Sequence, residues 1–534
     1  GLLFASGFAG LVYQVLWLRL TGLVFGNTSH SIAIVLGAFM AGLALGNWRI
    51  GIYADAYARP LRLYGLLEIL IGISALLVPV LFGAMDSVYW GFARELETVP
   101  GLGFLTRFSA SFAIMVVPTF LMGGTLPVMA RLFVHRLGDV EAKLATLYAL
   151  NTFGAAAGVL AAALFLIPVF GNQVTTTSIA LLNIVIGLLA ISLDGRIEPI
   201  GSAAATDAVE RAPDPVTDRL VLATVAVSGF VALAYEVAWT RALTALISNS
   251  TYAFAVMLVT FLVGIALGSS WAARFRPAAK LQMLGMFQLA IAVGGLIFLL
   301  GYIVAPGVLV SLVRALYYSF PAVLTIQFIV CALLMIVATF FMGATLPIAA
   351  QLYSSSMTVL GRRIGGVYSV NTLGAIAGSL GAGFLLIPAL GTERTVLIGL
   401  ACNAAIALLL FGRAGRRAPL LVASSALLIL LAVAAMRGEV FWKPDMLDRG
   451  VLIYARQFES RPNLRIDEHY AETDVVYFRE GRNATVSVRK GSGYVGLRVN
   501  GKVDASNGND KKTQLLLSYL PGFHHAAPEN VLVV

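Results

Sequence analysis

Four ionisable side chains stand out within the long apolar runs of this chain: Arg19, Glu68, Glu236 and Arg241. A charge at membrane depth is expensive and faces the bundle interior or water, so each is a functional candidate. The pattern predicts a polar interior site where Glu68 and Glu236 hold a cation or a proton, with Arg19 and Arg241 as partners or anion contacts. The competing reading is structural: both arginines lie near the outer ends of their runs and snorkel to the interface, and the acids satisfy them. Asn151 and Asn371 either bond between helices or contact a solute. No metal centre is expected. His524 and His525 lie between Pro521 and Pro528 without cysteine or acidic ligand spacing, and Cys331 and Cys402 fall in apolar runs as small hydrophobes.

These residues belong to a duplicated sequence. Ser6-Gly7-Phe8, Tyr13, Trp17, Arg19, Phe39, Gly42 and Gly46 recur 222 residues later as Ser228-Gly229-Phe230, Tyr235, Trp239, Arg241, Phe261, Gly264 and Gly268. Further along the offset becomes 220, which pairs Thr119 to Pro127 with Thr339 to Pro347, Tyr148 with Tyr368, Asn151 with Asn371, and Gly171 with Gly391. The polar candidates are related but not identical across the copies. Glu236 stands where the first copy has Gln14, and Gln288 stands where it has Glu68, so each copy keeps one carboxylate at a different place. Pro127 and Pro347 predict helix breaks at matching positions, a pointer to a midplane site.

The elements that carry the repeat must be membrane spans. Of 534 residues, 59% are hydrophobic and 12% charged, which excludes a soluble enzyme and a disordered chain. Residues 437–534 alone hold 14 of the 37 Lys/Arg and 12 of the 27 Asp/Glu, a water-soluble tail on a membrane region. Thirteen apolar runs are long enough to span: about 2–25, 30–50, 61–85, 104–134, 144–170, 173–193, 219–247, 251–273, 281–305, 322–352, 364–390, 393–412 and 419–436. Loops after even-numbered runs carry 17 Lys/Arg, and those after odd-numbered ones carry four, Arg94, Arg107, Arg314 and Arg394. By the positive-inside rule the even loops and the N-terminal side are cytoplasmic. The net charge of +10 therefore reports topology in a cell membrane, with lipid rather than nucleic acid as the partner. An even number of spans per copy gives parallel repeats, as in the two halves of major-facilitator transporters. The expected organisation is a mostly α polytopic bundle of 12–13 helices: repeat 1 at 1–194, a cytoplasmic linker at 195–218, repeat 2 at 219–412, a thirteenth span within 413–436, and the tail at 437–534.

Beyond Arg437 the apolar period changes to two. Short runs at Val475–Phe478, Ala484–Val488 and Val495–Val499 are separated by turn residues, among them Asn500-Gly501, and predict a small antiparallel sheet. Asp510 caps a helix over 511–520 that Pro521 closes, and Asn530-Val531-Leu532-Val533-Val534 opens a buried strand. The motifs Glu480-Gly481-Arg482-Asn483-Ala484-Thr485-Val486-Ser487-Val488, Val499-Asn500-Gly501-Lys502-Val503-Asp504-Ala505-Ser506 and Pro528 to Val534 resemble the N-terminal part of spermidine synthases. With Tyr13-Gln14-Val15-Leu16-Trp17-Leu18-Arg19 and Tyr235-Glu236-Val237-Ala238-Trp239-Thr240-Arg241, the whole chain is similar to fused transporter-type/spermidine synthase proteins of bacteria.

That resemblance implies a β-hairpin lid leading into a truncated Rossmann-like α/β domain. It also implies aminopropyl transfer from decarboxylated S-adenosylmethionine to a diamine such as putrescine. The chain starts without Met and stops inside a strand pattern, so the catalytic residues are expected beyond Val534. Asp504 and Asp510 are the acidic candidates on the substrate side. Soluble members carry Gln in place of Asp504, and Tyr-His-Glu where this chain has Thr513-Gln514-Leu515. Two functions remain open: a membrane-bound aminopropyltransferase, and a major-facilitator-like transporter of a cationic, polyamine-like solute with a degenerate synthase-like tail. The side of the tail is also open, because thirteen spans place it outside the cytoplasm whereas the donor is cytoplasmic.

Overall fold

The computed structural model describes residues 1–25, 29–97, 102–134, 136–196, 214–274, 280–316, 319–414, 419–438, 441–460, 466, 470, 472–508, 510–525 and 529. The first half contains α1 (Leu2–Phe25), α2 (Ser29–Ala56), α3 (Pro60–Glu97), α4 (Leu102–Phe133), α5 (Val140–Ala161) and α6 (Ile167–Asp194). The second contains α7 (Pro215–Ile247), α8 (Thr251–Ala272), α9 (Lys280–Leu316), α10 (Phe320–Tyr353), α11 (Leu360–Leu380), the short α12 (Ile387–Leu390) and α13 (Thr392–Arg413). Eleven helical stretches are long and apolar enough to cross a membrane, which makes this a multi-pass membrane protein. One of them, Leu137–Asp194, is 58 residues long and is really two spans, because it folds back at Gly171 (φ 74°). Its repeat partner Gly391 (φ 89°) makes the same turn between α12 and α13. Only glycine takes this conformation without strain. A π-helical turn precedes each, Ala162–Leu166 and Gly381–Leu386. The linker expected at 195–218 lies largely outside the described residues.

The duplication visible in the residues is also visible in the packing. Within the halves, α1 packs on α5 as α7 does on α11, α2 on α4 as α8 on α10, and α3 on α6 as α9 on α13. Between them the contacts are reciprocal: α2 packs on α11, and α5 on α8. Reciprocal contacts of this kind require an approximate two-fold axis, and parallel copies place it along the membrane normal.

The prolines do not break the long helices. Pro118 and Pro127 lie inside the 32-residue α4, and Pro347 inside the 34-residue α10. At Pro347 a side chain takes over the lost bond: the Gly343 carbonyl, which a residue without N–H at 347 cannot serve, accepts from Ser269 Oγ at 2.7 Å.

α14 (Pro419–Ala435) is 17 residues long and packs on α13 and α9. It leads into α15 (Ala455–Ser460) and then a four-stranded antiparallel sheet in the order β1 (Thr473–Glu480), β2 (Thr485–Gly491), β3 (Tyr494–Val499) and β4 (Lys502–Ser506). Asn500 (φ 50°) and Gly501 (φ 83°) form the tight β3–β4 turn that the dipeptide predicts. The sheet is pinned by Arg489, which is fully buried and donates to both oxygens of Asp448 at 2.6 and 2.8 Å. The last helix, α16 (Asp510–His524), runs through Pro521 instead of stopping there. Leu517, whose carbonyl loses its partner, is 72% exposed, so water can serve it. The Rossmann strand expected at 530–534 lies outside the described residues.

Candidate functional site

Two cavities are stacked along α1, α5, α7 and α8. The central one, about 280 Å³, lies between the halves and is also lined by α2, α4, α10 and α11. Its polar wall is made of twin residues: Gln14 and Glu236, Asn151 and Asn371, Tyr148 and Tyr368. The two tyrosine rings meet edge-on, centroids 5.8 Å apart, so the approximate axis passes between them. Tyr368 is buried, and its hydroxyl has no hydrogen-bond partner among the described residues. The asparagines reach the cavity where helices touch backbone to backbone. A Cβ on Gly7 would overlap the Asn151 carbonyl, and one on Gly229 would overlap that of Asn371.

Glu236 projects from the middle of α7 into this cavity, and among the described residues its carboxylate makes no hydrogen bond or ion pair. A carboxylate held away from bulk water with no protein cation needs a proton or a bound cation. Glu68 is different. It is completely buried between α1, α3 and α6, where it accepts from Ser6 Oγ at 2.5 Å and from Asn183 Nδ2 at 2.6 Å. Tyr13 donates to Asn183 Oδ1 at 3.0 Å and closes the network. Only Ser6 of this set reaches the cavity. In the second half the corresponding network is unmade: Gln288 donates to Thr345 Oγ1 at 3.2 Å, while both polar atoms of Asn403 and the hydroxyl of Tyr235 have no hydrogen-bond partner among the described residues.

The arginines do not pair with these acids. Arg19 is exposed and lines the second cavity, about 340 Å³, at the end of the bundle where α7 turns into α8. Its twin Arg241 turns to the tail, donating from Nη2 to the Arg482 carbonyl at 2.8 Å. Beside it, Glu480 accepts from the Thr392 backbone N–H at 3.1 Å and from the Thr392 hydroxyl, just past the Gly391 turn. Burial pushes the Glu480 carboxyl above the usual range, opposed by the Thr392 bonds and the charge of Arg241. Trp442 donates to the Leu299 carbonyl at 2.9 Å and Leu452 N–H to that of Leu246 at 3.0 Å. The tail thus sits on the second half, at the end opposite the Lys/Arg-rich loops.

At the basic end the halves are tied. Asp55 of α2 accepts from the backbone N–H groups of Gly361 and Arg362, at 2.7 and 2.8 Å, at the start of α11. Gln351 donates to the Leu137 carbonyl at 2.7 Å and accepts from Glu141 N–H at 3.1 Å, and Lys280 pairs with Glu141. The two acids expected on the substrate side of the tail are apart from all this. Asp504 faces Lys502 at 3.6 Å, Asp510 accepts from Ser506 at 2.9 Å, and neither lines either cavity. Residue types inside apolar runs pointed to Glu68, Glu236, Asn151 and Asn371. They missed Gln14, Tyr148 and Tyr368, for which the matching of each across the repeat was the available signal.

Comparison with known proteins is limited to structures. No protein-family model matches this sequence, and no curated protein matches it. Among solved structures, the human organic anion transporter MFSD10 superposes with a TM-score of 0.49 at 12% identity, over 77% of this chain and 98% of that one. A bacterial homologue of the iron transporter ferroportin gives a TM-score of 0.49 at 14% identity, over 78% and 99%. The E. coli fucose:proton symporter gives 0.44 at 14% identity, over 77% and 97%.

Proposed function

We propose that this protein is a two-half, alternating-access transporter of a small amine-bearing solute, with its tail as a docked accessory module rather than a working aminopropyltransferase. The observation that carries the reading is Glu236, a carboxylate without a protein partner on the wall of a cavity between two parallel repeats. An ammonium group supplies the charge and the donors that this carboxylate needs, while the neighbouring amides and the free Tyr368 hydroxyl orient the rest of the solute. The ties at the basic end and the cavity at the opposite end are the asymmetry expected of a carrier closed on one face. A diamine such as putrescine brings one ammonium group that Glu236 can hold, whereas Asp504 and Asp510 of the tail line neither cavity.

The test is uptake of labelled putrescine and of labelled 6-aminohexanoate, two amines of different net charge, into proteoliposomes holding the full chain. E236Q should lower uptake at least tenfold while leaving the protein monodisperse, since one charge-assisted contact is worth about 1.5–3 kcal/mol. Uptake that is unchanged in E236Q, or absent in the unmodified protein, overturns the reading.

A further inference from the structure

Both twin pairs of charged positions are broken, and in a complementary sense. In the central cavity the second half carries Glu236 where the first carries neutral Gln14. At the mouth, Arg241 is turned to the tail by the Arg482 carbonyl, while Arg19 lines the outer cavity and, among the described residues, has no hydrogen-bond or ion-pair partner. The site is thereby left with one negative charge on one half and one positive charge on the other.

The two cavities follow one another along the same helices. Gln14 lines the inner cavity and Val15 the outer; Ala155 the inner and Val159 the outer; Glu236 the inner and Thr240 the outer. On α7, Glu236, Thr240 and Thr244 recur every fourth residue and so lie along one side, a polar stripe leading from the mouth to the carboxylate, with Ser248 just past the helix end also lining the outer cavity. Arg19 is the twin of Arg241, five residues beyond Glu236 in the helical frame. At about 1.5 Å per residue, its backbone position lies about 7.5 Å nearer the mouth along the axis than that of Glu236.

We propose that Arg19 is a substrate-reading residue and that the ligand is an extended zwitterion. Its ammonium end is taken by Glu236, and its carboxylate end by Arg19. This rests on the central-cavity reading above and narrows its substrate class. A diamine satisfies Glu236 but places its second charge against Arg19. A dicarboxylate satisfies Arg19 but is repelled by Glu236. The tail, by turning Arg241 aside, leaves one cation at the mouth instead of two.

The experiment is isothermal titration of the full chain in nanodiscs with three probes of equal length: 6-aminohexanoate, 1,6-diaminohexane and adipate. The unmodified protein should bind 6-aminohexanoate most tightly. R19Q should weaken 6-aminohexanoate about tenfold or more and strengthen 1,6-diaminohexane, opposite signs that a loss of folding cannot produce. E236Q should weaken both amines, and R241Q should leave 6-aminohexanoate within twofold. If R19Q moves both amines in the same direction, or if 1,6-diaminohexane binds as tightly as 6-aminohexanoate, the assignment of Arg19 is overturned while the role of Glu236 stands; adipate binding as tightly as 6-aminohexanoate counts against Glu236. If E236Q changes neither amine, or no probe binds, the central-cavity reading falls and the zwitterion proposal falls with it.

Discussion

Glu68 and Glu236 are both acids in apolar helices, yet they call for different experiments. Glu68 has two protein donors, Ser6 and Asn183, and no access of its own to the cavity. The second half folds with Gln288 at this position although its own network is unmade, so E68Q, which keeps an acceptor for Ser6 or Asn183, should keep the thermal midpoint close to that of the unmodified protein. E68A should lower it, because Ser6 and Asn183 then lose their acceptor at about 1–3 kcal/mol for each buried group left unpaired. Melting followed by size-exclusion recovery distinguishes the two variants, and equal loss in both would show that the charge itself is required. The Glu236 carboxylate, by contrast, bonds to no other residue among those described, so its replacement is read in solute uptake and not in stability.

At the scale of elements, the tail is joined to the membrane region through a titratable contact. Glu480 sits against Thr392 and Arg241, and its carboxyl is pushed up by burial. A raised folded-state pKa means that the docked form binds its proton more tightly than the undocked form. The proton-linked stabilisation is fully present below the ordinary carboxylate pKa and is lost as pH rises through the raised value. Hydrogen exchange in β1 and β2 should therefore slow as pH is lowered through that window, after correction for intrinsic exchange, and E480Q should abolish the dependence. Asp214, at the start of α7, is the opposite case. It is held down to about 2, chiefly by the Thr217 hydroxyl and backbone, with Arg413 assisting at 2.8 Å. It stays ionised throughout that experiment and does not confound it.

For the molecule as a whole, the ties at the basic end oppose opening on that face. Asp55 holds two N–H groups at the start of α11 from the other half. D55A should expose the basic end of α11 to a polar thiol reagent several-fold faster, with cysteine placed at the buried Ile364 as reporter; an unchanged rate would mean that Asp55 does not hold the halves together. Sidedness has its own measurement. The tail lies at the end of the bundle opposite the Lys/Arg-rich loops, which the charge bias assigns to the cytoplasm. In intact cells, S492C in the β2–β3 turn should react with an impermeant maleimide and T358C between α10 and α11 should not. The reverse pattern would return the tail to the cytoplasm.

Much of this architecture is legible without coordinates. The offsets of 222 and 220 residues set the two-half plan, apolar run length sets the spans, and Asn500-Gly501 sets a hairpin turn, because each depends on local composition and spacing. Other features depend on contacts distant in the chain. Nothing in the residue types around Pro347 says that Ser269 will serve the carbonyl it frees and leave α10 whole. The twin arginines are preceded by similar residues, and only the docking of Arg482 and Glu480 from more than two hundred residues away turns one aside and leaves the other facing the mouth. Periodicity and composition are properties of neighbours along the chain, so they determined the elements. Whether a buried charge is satisfied is a property of neighbours in space, so the tertiary structure alone decided that Glu68 has partners and Glu236 has a cavity.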